Sequence, residues 1–103
     1  MPGEGPVIAL ESRVTAAPGR FSSRVAGEVM ILDPDSGEYF GLDPVGARVW
    51  ELLERPVPVG ELRDVLLGEF DVEARRLEAD LLALLSELAR HGLVEVLPSE
   101  EEP

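Results

Sequence analysis

The spacing of apolar and polar positions changes character at residue 43. Before it, apolar runs are short and broken by Gly and Pro. After it, apolar residues recur every three or four positions. Glu28-Val29-Met30-Ile31-Leu32 is a short apolar run, Asp33-Pro34-Asp35-Ser36-Gly37 is a turn cluster, and Glu38 to Leu42 is a return run. That order predicts a β-hairpin. Upstream, Val7 to Leu10, Ser12 to Thr15 and Phe21 to Val25 are each candidates for a further strand, with Pro18-Gly19 among them. The pattern does not choose which of them is the first strand.

Asp43 suits a helix N-cap and Pro44 the first helical position. Val45, Val49, Leu52 and Leu53 then recur at helical spacing beside Trp50, and Pro56 and Pro58 end the helix. A second helix is predicted over 59–69, burying Leu62, Val65 and Leu66. A third is predicted over 71–91, capped by Asp71, with the stripe Leu77, Leu81, Leu84, Leu85 and Leu88. Gly92 suits the left-handed position after its last residue, and Leu93 can close that cap by an apolar contact. Leu93 to Leu97 is a short final strand or an extended tail. A small hairpin sheet followed by three helices makes an α+β domain of winged-helix type. One domain is expected over 7–97, with a flexible N-terminus (1–6) and an acidic tail (98–103).

The length of 103 residues suits one modest core, and 45% hydrophobic residues argue against wholesale disorder. No apolar run is long enough to span a bilayer, and none at the start has basic flanks. The expectation is a cytoplasmic protein that does not enter membranes. Cysteine is absent, so there is no disulfide framework and no thiolate site. His91 is the single histidine and falls at a helix C-terminus, where a capping role is expected. Neither a metal site nor a cofactor site is expected. The glycines lack phosphate-loop spacing, and no serine sits in a Gly-x-Ser-x-Gly elbow. The chain is therefore not expected to be an enzyme.

Charge changes the picture further. Twenty-one acidic residues stand against nine basic ones, for a net charge of -12. Nucleic-acid binding needs clustered basic side chains, so an acidic surface opposes it and favours a basic peptide or protein. The third helix offers Arg75, Arg76 and Arg90 against Glu73, Glu78, Asp80 and Glu87, which is not a basic recognition face. Two other readings remain beside peptide binding: a winged-helix transcriptional regulator and an acidic assembly subunit of a larger enzyme.

The return strand is the most suggestive site. Tyr39, Phe40, Gly41 and Leu42 contain neither Lys nor Pro to block pairing, and Gly41 admits a close second backbone. A free edge there would accept an extended peptide. On the third helix, Arg76, Asp80, Ala83 and Glu87 share one flank of the stripe; Arg75, Glu78, Leu82 and Ser86 share the other. Helical spacing does not choose between them. Trp50 is expected to pack in or beside the core.

Taken in order, Val29-Met30-Ile31-Leu32-Asp33, Gly37 to Asp43, Gly46-Ala47-Arg48-Val49-Trp50-Glu51-Leu52-Leu53, Val59-Gly60-Glu61-Leu62, Asp80 to Leu88 and His91-Gly92-Leu93-Val94 resemble the PqqD-like family. Its members are also called RiPP precursor-recognition elements, and the match covers about residues 25–94. The resemblance implies a three-stranded antiparallel sheet followed by three helices. It implies capture, without catalysis, of the leader segment of a ribosomally made precursor peptide. The leader would add as a strand to Tyr39–Leu42 and pack on the third helix. Stand-alone members deliver the leader to separate enzymes, and the lasso-peptide type, preferred here, serves a leader peptidase and a cyclase. Leaders of that type carry an aromatic and a proline, and the charge favours a basic leader. The family pattern places an acidic residue at Asp80, which selects the Arg76, Asp80, Ala83, Glu87 flank, with Leu84 as floor.

Overall fold

A computed structural model of the chain describes residues 8–19, 22–26 and 28–97. The expected flexible start (1–6) and acidic tail (98–103) lie outside the described residues. In chain order the elements are β1 (Arg13–Ala16), β2 (Ser22–Val25), β3 (Glu28–Leu32), β4 (Tyr39–Leu42), α1 (Pro44–Leu52), β5 (Val57–Pro58), α2 (Val59–Glu69), α3 (Ala74–Arg90) and β6 (Val94–Leu97).

The expected three-stranded antiparallel sheet is β2-β3-β4, with the three helices after it. Its first strand is Ser22–Val25. The Ser12–Thr15 candidate also forms a strand, but in a second antiparallel sheet of order β5-β1-β6. There β1 pairs with β6 from Arg13↔Leu97 to Ala16↔Val94, so the last apolar run is a strand. Of the Val7–Leu10 candidate, Val7 lies outside the described residues and 8–10 form no strand.

The hairpin turn fixes which backbone groups of β4 are free. The Gly37 N–H donates to the Asp33 carbonyl and the Asp33 N–H to the Glu38 carbonyl, both at 2.8 Å. Gly37 has φ 77, so this is a glycine bulge closing the turn. Asp33 and Glu38 are therefore a bonded pair, and bonded pairs alternate along an antiparallel ladder. In the observed register, Ile31↔Phe40 and Val29↔Leu42 bond next. The N–H and C=O groups of Tyr39 and Gly41 point the other way, out of the sheet's edge.

One residue separates β4 from α1. Asp43 caps the helix by accepting the Gly46 N–H at 2.8 Å, and Pro44 opens it. Gly46 is buried against this junction: a Cβ there would lie 3.3 Å from both Asp43 Oδ1 and Leu42 Cβ. The third helix departs from expectation. It begins at Ala74 with Glu73 at the cap, and the Glu73 side chain makes no capping bond. Asp71 stands too early to cap it. At the other end Gly92 (φ 72) is left-handed, the Leu93 N–H reaches the Leu88 carbonyl at 2.9 Å, and the Gly92 N–H reaches Ala89 at 3.0 Å. This is the glycine cap expected from sequence.

The core joins one face of the first sheet to the helices. Val29, Ile31, Val49, Leu53, Leu66, Leu85, Leu88 and Leu93 are buried together. Leu62 is buried too, whereas Val65 and Trp50 are half-buried, Trp50 packing on the core's margin. Arg48 ties α1 to α2 by two parallel bonds to Glu69, at 2.9 and 3.0 Å. These bonds hold the Glu69 carboxyl below its ordinary pKa. The pair is partly solvated, so it adds little stability beside the apolar core.

Replacing Gly92 by Ala should cost roughly 1–2 kcal/mol, because a Cβ is strained at that φ. A urea melt checks this: the midpoint should fall while the m value stays unchanged.

Candidate peptide-binding groove

A groove of about 690 Å³ runs between the end of β4 and α3. Gly41, Leu42, Asp43, Val45 and Gly46 form one wall. Glu73, Arg76, Leu77, Asp80, Leu81 and Leu84 form the other, beginning at Val72, and Val49 and Leu66 complete the lining. The lining is mainly apolar. Its charges are the carboxylates of Asp43, Glu73 and Asp80 against the single guanidinium of Arg76. Arg76 Nε lies 3.7 Å from Asp80 Oδ2, and both side chains are largely exposed (77% and 69%).

The residues expected at the site divide. Gly41, Leu42, Arg76, Asp80 and Leu84 line the groove. Tyr39 stands 61% exposed beside it. Phe40 turns inward and meets the His91 ring edge-on, with centroids 4.6 Å apart. Ala83 is exposed outside the lining, and Glu87 is engaged beyond the groove's end by Arg90 and His91. The opposite flank faces elsewhere: Glu78 approaches Arg63 of α2 at 3.9 Å, and Leu82 packs against the core. Sequence reasoning missed Asp43, Val45, Gly46, Val49, Leu66, Val72, Glu73, Leu77 and Leu81 as lining. The apolar ones carry the same stripe spacing as core residues, so no local signal separates a groove wall from a core contact.

His91 locks the far end of α3 to the hairpin. Its Nδ1 lies 3.3 Å from Asp33 Oδ2 and its Nε2 lies 3.3 Å from Glu87 Oε2. A neutral ring can donate to one of these carboxylates and a protonated ring to both. Its backbone N–H bonds to Glu87 and Leu88, so the expected capping place is where it stands. Asp33 is 3% exposed. Burial is the largest influence on its carboxyl and opposes ionisation. Hydrogen bonds from the Asp35 N–H, from the side chain and N–H of Ser36, and from His91 outweigh it, so the pKa lies below the ordinary value.

An open-edged sheet beside an apolar groove, on a winged-helix-like α+β frame, defines a class of small peptide-recognition domains. The chain belongs to the PqqD family: the family model described as coenzyme PQQ synthesis protein D matches residues 28–94. Among solved structures it is similar to TbiB1, determined in complex with the TbiA(beta) leader peptide. That likeness has 36% identity and a TM-score of 0.68, and covers 79% of this chain and 94% of TbiB1. It shares its fold with the PqqD truncation of Methylobacterium extorquens PqqCD, whose solution NMR structure is described as a functional, stand-alone RiPP recognition element. There the identity is 21%, the TM-score 0.73, and the coverage 92% and 99%. No curated protein sequence matches the chain.

Because the Asp33 pKa is lowered on folding, its ionised form stabilises the native state above the ordinary aspartate pKa of about 3.9. That contribution is lost as pH falls through the lowered value. The stability difference between the parent and Asp33→Asn should therefore be widest near neutral pH and shrink on acidification. Denaturant melts across the acid range measure it, and a difference that grows toward acid would contradict the assignment.

Proposed function

We propose that this chain binds the leader segment of a ribosomally synthesised precursor peptide without catalysing any reaction on it. The leader adds as a strand to β4, pairing with the outward groups of Tyr39 and Gly41. Alternate leader side chains enter the groove between β4 and the Arg76, Asp80, Leu84 flank of α3. The observation that carries this reading is the β4 edge, unpaired among the described residues, lying along an apolar groove. The likeness to TbiB1, itself determined with a leader peptide, supports it.

The carboxylates of Asp43, Glu73 and Asp80 favour a basic leader, and the apolar floor suits its aromatic and proline anchors. The bound leader is presented to separate maturation enzymes, a leader peptidase and a cyclase of a lasso-peptide cluster. We take residues 7–97 as the recognition domain and the cytoplasm as its place of work, with no cofactor and no nucleic acid. Among the described residues no helix is long and apolar enough to cross a membrane. The regulator reading loses ground because the groove flank of α3 carries Glu73 and Asp80 beside one Arg76. Retention on duplex DNA at low salt would restore it.

The test is the affinity, by anisotropy, of a fluorescently labelled basic leader peptide that carries an aromatic and a proline. Gly41→Pro removes one outward N–H and leaves the β3 ladder intact, so affinity should fall about fivefold or more. Leu84→Glu, a half-buried groove position, should abolish binding with the circular dichroism spectrum unchanged. Asp80→Ala should cost less than about fivefold, since the carboxylate is solvated and already shared with Arg76. Parent-like binding by both Gly41→Pro and Leu84→Glu would move the leader to another edge.

Affinity should also fall as salt rises, through screening of the acidic surface. A salt-independent affinity would leave groove packing as the whole of the attraction.

A further inference from the structure

The first sheet has a second face, which the groove does not use. Side chains alternate across a strand, and the register places Met30 beside Gly41 and Ser23, Leu32 beside Tyr39, and Val25 beside Glu28. The inward partners Val29, Ile31 and Leu42 are buried in the core. Met30, Leu32, Tyr39 and Val25 therefore share the outward face. Tyr39 is 61% and Val25 58% exposed, and Met30 and Leu32 are half-buried. Neither Met30 nor Leu32 packs against the core, and a Cβ at Gly41 would meet Met30 Sδ at 3.4 Å, along the face.

The rim of this face is acidic. Glu28 stands at its β2 side, and Asp35 and Glu38 stand at the turn, all exposed. Arg24 does not neutralise them, because it points inward and pairs with Glu51 of α1 at 2.9 Å. An apolar centre with a carboxylate rim fits a partner that has an apolar centre and an Arg- or Lys-lined rim. A second copy of this chain, with its own charge of -12, meets like charge there.

The face is continuous with the β4 edge. Tyr39 and Gly41 turn their side-chain positions outward while their backbone groups face the edge. A strand added to that edge extends the same face by one row, because its alternate side chains also point outward. We propose that this outward face is the docking surface for the enzyme that processes the leader, and that a bound leader completes it. The leader's share of the surface rests on the function proposed above; the docking patch of Met30, Leu32, Val25 and the acidic rim does not. In this arrangement the processing enzyme binds the loaded domain more tightly than the empty one.

The experiment uses the full chain, the labelled leader and the purified peptidase that cleaves that leader. Two affinities are read separately: leader for the domain, and peptidase for the domain with and without leader. The parent should bind the peptidase more tightly when loaded. Leu32→Glu and Met30→Glu should bind leader within about twofold of the parent and lose at least tenfold in peptidase affinity. Glu28→Arg with Glu38→Arg should slow peptidase association by a larger factor than it weakens leader binding, which loses only the long-range share of its attraction. A parent that binds peptidase through Leu32 but does not bind leader would refute the leader reading and keep the docking patch. Peptidase affinity unchanged in both glutamate variants would overturn the docking surface and leave leader binding standing. Dimerisation of the parent that Leu32→Glu abolishes would also overturn it, by making a second copy the occupant.

Discussion

The junction at Asp43 holds the groove in place. One residue carries the chain from the last pair of the β3–β4 ladder to the first turn of α1. Its carboxylate caps that turn, Pro44 fixes the turn's first φ, and Leu42 is buried beside it. A longer linker would let α1 swing away from β4. Gly46 is what permits the tight approach, since any Cβ there crowds the capping carboxylate and Leu42 at 3.3 Å. With α1 held this close, β4 runs beside the groove, and among the described residues no strand pairs with its outer N–H and C=O groups.

The other end of the groove is set by α3. The glycine cap at Gly92 stops the helix, and His91 bridges Asp33 of the hairpin turn and Glu87 of the helix itself. Its ring also meets Phe40, whose backbone pairs with β3. The strand and the helix that face each other across the groove are thus tied beyond it. The exposed ion pairs on the helices contribute little to stability, and the apolar core carries most of it. The polar contacts matter for where the elements sit.

Much of this was legible locally. The hairpin, the Asp43 cap, the span of α2 and the Gly92 stop follow from turn, cap and periodicity signals of a few residues. The second sheet was not, because β1 pairs with β6 some eighty residues away and β5 is two residues long, one of them proline. Two upstream candidates proved to be strands of different sheets, a distinction made only by partners distant in sequence. Asp71 resembled a cap, yet α3 starts three residues later, where Glu73 supplies no side-chain bond. Among the site residues, Asp80 and Leu84 were placed by helical spacing together with the family resemblance. Ala83 shares that flank but stands outside the lining, and Glu87 is drawn off by His91 and Arg90. The missed apolar lining, such as Val45 and Leu77, has the spacing of core, and only packing shows that a slit runs between those walls.

The proposed pairing of an extended leader with the outer edge of β4 can be read residue by residue from amide hydrogen exchange. In the free protein the Phe40 and Leu42 amides should be slow, because they bond to β3, while Tyr39 and Gly41 exchange quickly. Saturating leader should slow Tyr39 and Gly41 strongly and change Phe40 and Leu42 little. Fast exchange at Tyr39 and Gly41 in the saturated complex, with new protection at the outer edge of β2 or β6 instead, would put the leader on another strand and rule out pairing with β4.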